Sequence, residues 1–279
     1  MPFEAHPLFE APAENTKIWR YIDFTKFVSL LDVRSLFFVS ADKLAQLDPF
    51  EGRFTNLDAA SEANFLKLRY SNLPPEEWEK FGYKSEKELT FMQELHRESE
   101  PLRSQFDQGS IFINSWHWGE DESDAMWKLY ITGNNGIALR STYKKLRESF
   151  EKSPERVFIG KVKYLDYNAS RIPKSDTFSP FLHKKTCYQH ESELRAVVWD
   201  LEQIDRSHVN APGNRTVTLK NPDLTGILVK SDIESLVEEL YISPRAEKWF
   251  HDLVRSVAEK YGFKFAIKQS DIYSIPKYN

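Results

Sequence analysis

The chain has 279 residues, 41% apolar and 14% aromatic, enough to build a sizeable core in one large domain or two small ones. Its formal net charge of -4 excludes a protein that coats nucleic acid non-specifically, although a local basic groove would survive that average. The one cysteine, Cys187, excludes an intrachain disulfide or a cysteine zinc cluster and points to the cytoplasm, and no stretch approaches the roughly 18 apolar residues of a membrane span.

Residues 1–17 read as an N-terminal tail without the charged start and apolar run of a secretory signal. A single α+β domain is expected over 18–279. IWRYI at 18–22 predicts a strand with Arg20 among apolar neighbours, and an arginine so placed needs a carboxylate or phosphate partner. Asp23 or Thr25 can cap a helix over 25–31, whose Phe27, Leu30 and Leu31 make one apolar face. SLFFVS at 35–40 has the length and aromatic content of a buried strand. In the following DPFEG stretch, Pro49 disfavours helix at Asp48 and Gly52 permits a turn, leaving Asp48 and Glu51 as loop carboxylates beside an aromatic. Both are candidates to contact a substrate; the alternative is that Asp48 caps a turn and Glu51 is solvated.

A helical insertion is predicted over 59–108. Pro75 begins one helix with Trp78 and Phe81 on a face, and a second over 86–106 carries Leu89, Met92, Leu95 and His96 along a stripe of core type. Alternation then predicts a strand over 111–116, and Asp121, Glu122 and Asp124 suit the positive end of a helix over 123–130. The turn GNNG leads to a strand over 137–141, expected beside the 111–116 strand. Trp116, Trp118 and Trp127 crowd this part; such rings can stack on a base or nicotinamide, though they more commonly make plain core.

After a strand over 158–164 and a polar loop over 168–179, FLHKKTCYQHESELRAVV at 181–198 gathers histidines, lysines and carboxylates where a strand begins. Read as one alternating strand, it puts Glu191, Glu193 and Arg195 on one face and Leu194, Ala196 and Val198 on the other. A row of that kind is wet, paired or used by a ligand, because an unpaired buried carboxylate is costly. Glu191 and Glu193 are therefore the candidate catalytic acids, with Lys185 and Arg195 beside them; the bland alternative is a Glu193–Arg195 ion pair. Strands over 216–219, 226–229, 241–243 and 263–267, a short helix from Ser231 and an amphipathic helix over 246–261 complete the chain. The lack of regular βαβ repeats points to α+β, with a mixed, mostly antiparallel central sheet, the helical insertion and a C-terminal amphipathic helix. There is no Gly-rich phosphate loop, no histidine pair at zinc spacing and no Gly-x-Ser-x-Gly elbow, so no metal site is predicted.

The pieces WRYIDFTKFVSLL, SLFFVSADKL, DPFEG, SWH, ESDAMWKLY, GNNGIAL, IGKVKYLDY, HKK, HESELRA and LYISP, in that order from 18 to 267, resemble a widespread bacterial family catalogued as domain of unknown function 2971. The resemblance implies that Arg20, Asp48, Glu51, Trp127 and the run 191–195 belong to recurrent motifs. It also implies a phage-defence or toxin context, since members resemble proteins encoded near defence and mobile loci. At fold level, the opening strand, helix, strand resembles ADP-ribosyltransferases that modify nucleic acids. In their order, Arg20, then Ser115 or Trp116, then Glu191 or Glu193 are the matching positions. The full ligand-holding motif is missing around Arg20, and DPFEG has no counterpart there.

This second resemblance implies a nucleotide- or NAD-dependent transferase. Arg20 with Tyr21 would grip NAD, Ser115, Trp116 and Trp127 would wall the nicotinamide, and Glu191 or Glu193 would polarise a ribose hydroxyl. Asp48, Glu51, Lys185 and Arg195 would face the substrate. NAD enters as a substrate rather than a tightly bound cofactor, and the acceptor is a nucleic acid or a protein. Two other classes stay open: a non-catalytic ligand-sensing or protein-interaction module, and a metal-dependent nuclease using Asp48, Glu51, Glu191 and Glu193 with a divalent ion.

Overall fold

The computed structural model describes residues 3–59, 108–173, 176–205 and 218–274. The helical insertion predicted over 59–108 lies, but for its end residues, outside the described residues.

β1 (Lys17–Asp23), α1 (Phe24–Val33) and β2 (Ser35–Ser40) make the expected strand, helix, strand unit. Asp23 caps α1 by accepting the Lys26 N–H at 2.8 Å, and the helix turns Phe27, Leu30 and Leu31 into the core. A short α2 (Ala41–Ala45) runs into the DPFEG turn. Next come β3 (Ile111–Trp118), α3 (Asp124–Tyr130), β4 (Gly136–Thr142), α4 (Tyr143–Ser149), β5 (Phe158–Lys161) and β6 (Lys163–Leu165). A 3-10 turn over Ser179–Leu182, β7 (His183–Lys185), a second 3-10 turn over Thr186–Glu191 and β8 (Glu193–Trp199) carry the charged run. β9 (Ile204–Asp205), β10 (Thr218–Leu219), β11 (Gly226–Lys230), α5 (Ile233–Leu236), β12 (Glu239–Ile242), α6 (Lys248–Lys260) and β13 (Ala266–Gln269) finish the chain.

Nine strands share one mixed, mostly antiparallel sheet, confirming the α+β class. They follow the path β11-β2-β3-β1-β4-β12-β13, with β8 on β3 and β5 on β8; only β12 and β13 run parallel within it. β3 is the hub. Along one edge it pairs with β2 at Ile113 and Phe112, then with β1 at His117 and Trp118; along the other it pairs with β8 from Ile111 to His117. The first edge therefore splits between β1 and β2 opposite Asn114–Trp116. Asn114 bridges that split, donating to the Phe37 carbonyl at 2.8 Å and accepting from Trp116 Nε1 at 2.7 Å.

One sheet face, with Ile18, Ile22, Phe112, Trp116, Leu194 and Val198, forms the main core under α1, α4 and α6. The other face carries two smaller clusters, Ile111, Ile113, Val197 and Phe181 in one, and Trp19, Tyr21, Met126 and Trp127 under α3 in the other. The expected amphipathic helix is α6, burying Phe250, Val254 and Ala258. No helix among the described residues is long and apolar enough to cross a membrane.

Three local expectations change. β4 lies between β1 and β12 rather than beside β3, because α3 packs over Trp19 and Tyr21 and carries the chain across β1 before it returns. The strand expected over 158–164 breaks at Val162, whose N–H goes to the Glu193 carbonyl, and its second part leaves the sheet to pair with β7. Residues 3–16, read as part of a tail, are fastened to the sheet: Glu4 N–H reaches the Val157 carbonyl at 3.1 Å, Lys161 N–H reaches the Glu10 carbonyl at 3.0 Å, and Phe9 is buried against Phe158 and Phe178.

Candidate functional site

Directly opposed residues of antiparallel strands point to the same face. The pairings Ser115↔Arg195 and His117↔Glu193 thus set these four side chains together, on the face away from the main core. Arg195 is 1% exposed. Its Nε donates to Glu193 Oε1 at 2.8 Å, Nη1 to Glu51 Oε1 and to the Phe181 carbonyl, each at 2.6 Å, and Nη2 to Glu51 Oε2 at 2.7 Å and Glu193 Oε2 at 3.1 Å. Every guanidinium N–H has an acceptor. Burial alone would lower this arginine's pKa; Glu193 and Glu51 reverse that and hold it well above the ordinary value.

Glu51 reaches Arg195 because of the turn that bears it. Asp48 accepts the Phe50 N–H on its carboxylate at 3.0 Å and the Glu51 N–H on its carbonyl at 2.9 Å, and Gln108 donates to the Glu51 carbonyl at 2.8 Å. Gly52 follows at φ 68°, and a Cβ there would stand 2.3 Å from Phe181 Cε1. Conformation and space both require glycine at that position. Asp48 is thus the turn cap of the bland reading, whereas Glu51 is 2% exposed and fully paired rather than solvated.

Glu193 takes four donors: Ser115 Oγ at 2.5 Å and Arg195 Nε on one oxygen, Arg195 Nη2 and Lys184 Nζ, the latter at 3.2 Å, on the other. Burial alone would raise this carboxyl; Arg195 and Lys184 overcome it and hold the group at about 2. Its N–H donates to the Tyr164 hydroxyl at 2.8 Å. Lys184 sits above its ordinary pKa, since Glu193 and Glu191 outweigh the burial that lowers it.

The single charged row expected for Glu191, Glu193 and Arg195 does not form. Glu191 ends a 3-10 turn, and Ser192 at φ 39° breaks the alternation before β8 starts. Lys184 reunites the acids instead, with Nζ 2.7 Å from Glu191 Oε2. Glu191 is anchored through its backbone: His117 Nδ1–H donates to its carbonyl at 2.7 Å, and Trp118 N–H donates to the Ser192 carbonyl at 2.8 Å. Its side chain is 14% exposed, and its Oε1 has no partner among the described residues.

Arg20 does not pair with either acid. The register Trp19↔His117 puts Trp19 on the Glu193 face, so the next residue, Arg20, points to the other. Its guanidinium lies over Trp116, 5.8 Å from the ring centroid, with Nη1 buried and without a hydrogen-bond partner. Burial lowers its pKa to about 10. Tyr130, at the end of α3, opposes that lowering, and burial, then Glu191 and Glu193, hold the Tyr130 phenol above its own ordinary value.

The other predicted residues scatter. Tyr21 accepts the Ser123 N–H at 2.7 Å and meets Trp127 edge-on at 5.0 Å, while Trp127 donates to Glu122 at 2.8 Å; both rings are buried packing under α3. Ser115 belongs to the Glu193 network. Trp116 is buried and offers one face to Arg20. Lys185 lies over the Phe50 ring at 3.2 Å. Lys184 was missed: the alternation of HKK could have marked it as the inward lysine. The carboxylate set that the nuclease alternative would use is not assembled, because Glu51 commits both oxygens to Arg195 and Asp48 caps its turn. Among the described residues no group of three or more His, Cys, Asp or Glu could hold a metal ion.

No family model, no curated protein and no solved structure matches the chain.

Proposed function

We propose that the protein binds a nucleotide- or NAD-type ligand through Arg20 and is a transferase in which Glu191 acts on the bound ligand. The observation that carries this reading is the Arg20 guanidinium, which lacks an acid and leaves a buried Nη1 without an acceptor. Such a group is costly as it stands and gains most from an anion such as a phosphate. Trp116 beneath it supplies a flat apolar face.

Between the two acids, Glu193 is saturated and supports the scaffold, while Glu191 keeps one oxygen free of partners among the described residues and is turned by Lys184. In the transfer, the bond between the nicotinamide nitrogen and the ribose carbon breaks with its electron pair going to nicotinamide. The acceptor nucleophile forms the new bond to that carbon and releases its proton to water. Glu191 accepts a ribose hydroxyl and stabilises the positive charge that develops on the sugar. The fold-level resemblance to ADP-ribosyltransferases supports the chemistry and a nucleic acid or protein acceptor, and the resemblance to domain of unknown function 2971 supports a bacterial defence or toxin setting in the cytoplasm.

A ligand-sensing module without chemistry is the second reading, favoured by the complete internal pairing of Arg195 and Glu193. Calorimetry with NAD and ADP, followed by transfer of label from the ADP-ribose part of NAD in a cell lysate, separates the two. Arg20→Ala is expected to weaken binding, and Glu191→Gln to abolish transfer while binding survives. Binding without any transfer decides for the sensing module; no binding in a folded sample overturns both.

A further inference from the structure

Arg20 and Lys161 stand on the same face of the sheet, the one that carries the main core. Arg20 alternates with Ile18 and Ile22 of that core along β1, and the registers Lys161↔Leu194 and Trp116↔Leu194 bring Lys161 to the same face from β5. Between them on β3 stand Trp116 and Trp118, two residues and about 7 Å apart along the strand. The Arg20 guanidinium lies 5.8 Å from the Trp116 ring centroid, and Lys161 Nζ lies 4.6 Å from that of Trp118. β1 borders one edge of β3, while β8 and then β5 lie beyond the other, so the two cations flank the indole pair from opposite sides.

Neither cation meets an acid among the described residues; Lys161 spends its backbone N–H on the Glu10 carbonyl, and its ammonium enters no ion pair. The two indoles differ as well. Trp116 Nε1 donates to Asn114, whereas Trp118 Nε1 is buried without an acceptor, as Arg20 Nη1 is. Two unmatched cations and two orphaned donors on one patch are costly as they stand, and an anion offsets all four. Arg20, Trp118 and Lys161 are each half-buried, so the patch reaches the surface.

We infer that Lys161 and the Trp118 indole N–H extend the Arg20 site across the Trp116 and Trp118 rings, so that its ligand carries two linked phosphates, one at Arg20 and one at Lys161 and Trp118. A single phosphate serves one end of the ring pair; a diphosphate reaches both. The inference rests on the reading of Arg20 as an anion site and needs no residue from the Glu193 face.

Calorimetry at fixed ionic strength tests it with ADP and AMP, which differ by one phosphate, on the wild type, Arg20→Ala, Lys161→Gln and Trp118→Phe, with circular dichroism to confirm folding. The wild type is expected to prefer ADP about tenfold or more. Lys161→Gln, which keeps the length of the side chain, and Trp118→Phe, which keeps a ring and removes the N–H, are expected to erase most of that preference while AMP binding holds; Arg20→Ala is expected to weaken both nucleotides. Pyrophosphate tells the sources apart: affinity equal to that for ADP supports a free diphosphate, and weaker binding supports one carried on a nucleoside. Equal affinity of the wild type for ADP and AMP, or an ADP preference that survives in both Lys161→Gln and Trp118→Phe, overturns the inference and leaves Arg20 as a site for one phosphate. Failure of the wild type to bind either nucleotide, or Arg20→Ala binding as the wild type does, overturns the reading of Arg20 and the inference with it. Should Trp118→Phe be misfolded, Lys161→Gln and Lys161→Met, whose side chain makes no hydrogen bond, are held to the same outcomes.

Discussion

Glu51 and Arg195, 144 residues apart, meet as a two-pronged ion pair, Oε1 to Nη1 at 2.6 Å and Oε2 to Nη2 at 2.7 Å, with both side chains almost free of solvent. The pair fastens the DPFEG turn onto β8. Two buried charges of this kind are tolerable together and not apart.

Removing one partner leaves the other buried and unpaired. Glu51→Ala and Arg195→Met are each expected to lose about 3–5 kcal/mol of stability. The double variant should lose clearly less than the sum, because the second change removes the charge that the first stranded. Urea unfolding of the three variants checks this; single losses below about 1 kcal/mol would show that the pair is not held in solution.

The two acids near Lys184 should behave differently. Glu193→Gln disturbs three hydrogen bonds and an ion pair in a buried place and is expected to cost about 2–4 kcal/mol. Glu191→Gln keeps an acceptor for Lys184 and loses the charge at that one largely buried contact, so a smaller loss of about 1 kcal/mol is expected. Side-by-side thermal melts decide, and equal losses would refute the division of roles between scaffold and site.

Acid should expose the Glu193 network. The folded protein holds this carboxyl at about 2, below its unfolded value near 4.5, so the unfolded state binds the proton more readily. The resulting stabilisation, about 3 kcal/mol, is complete above the unfolded pKa and is lost as pH falls from about 4.5 towards 2. Guanidinium unfolding of the wild type and Glu193→Gln across that range should converge at the acid end; parallel curves would contradict the shift.

Gly52→Ala combines a left-handed backbone with a methyl group driven into the Phe181 ring, and should cost about 2–4 kcal/mol. Gly133 has a similar backbone, φ 86°, and nothing within 4 Å of an added Cβ, so Gly133→Ala should cost only about 1 kcal/mol. Chemical denaturation of both variants separates the steric part from the backbone part, and equal values would mean that the Phe181 contact is relaxed.

The elements that local pattern governs were legible in the amino-acid sequence. Alternation placed β3 and the body of β8, apolar and aromatic composition placed β1 and β2, helical spacing placed α1 and α6, the acids at its start placed α3, and the composition of DPFEG marked a turn with a glycine. Each depends on side-chain sterics and apolar spacing within a few residues. The break at Ser192 escaped because a serine in left-handed conformation carries no compositional mark, and it moved Glu191 out of the charged row.

Partnership was decided only by the fold. Which strand borders β4, which side of the sheet Arg20 takes relative to Glu193, and that Glu51 rather than a ligand completes Arg195 all depend on registers passed from β1 through β3 to β8. A one-residue change in any of those registers would send the same side chains to opposite faces without altering a single local pattern. Sequence alone therefore supplied the charged groups, and long-range strand pairing determined that Arg195 and Glu193 are internally satisfied while Arg20 is not.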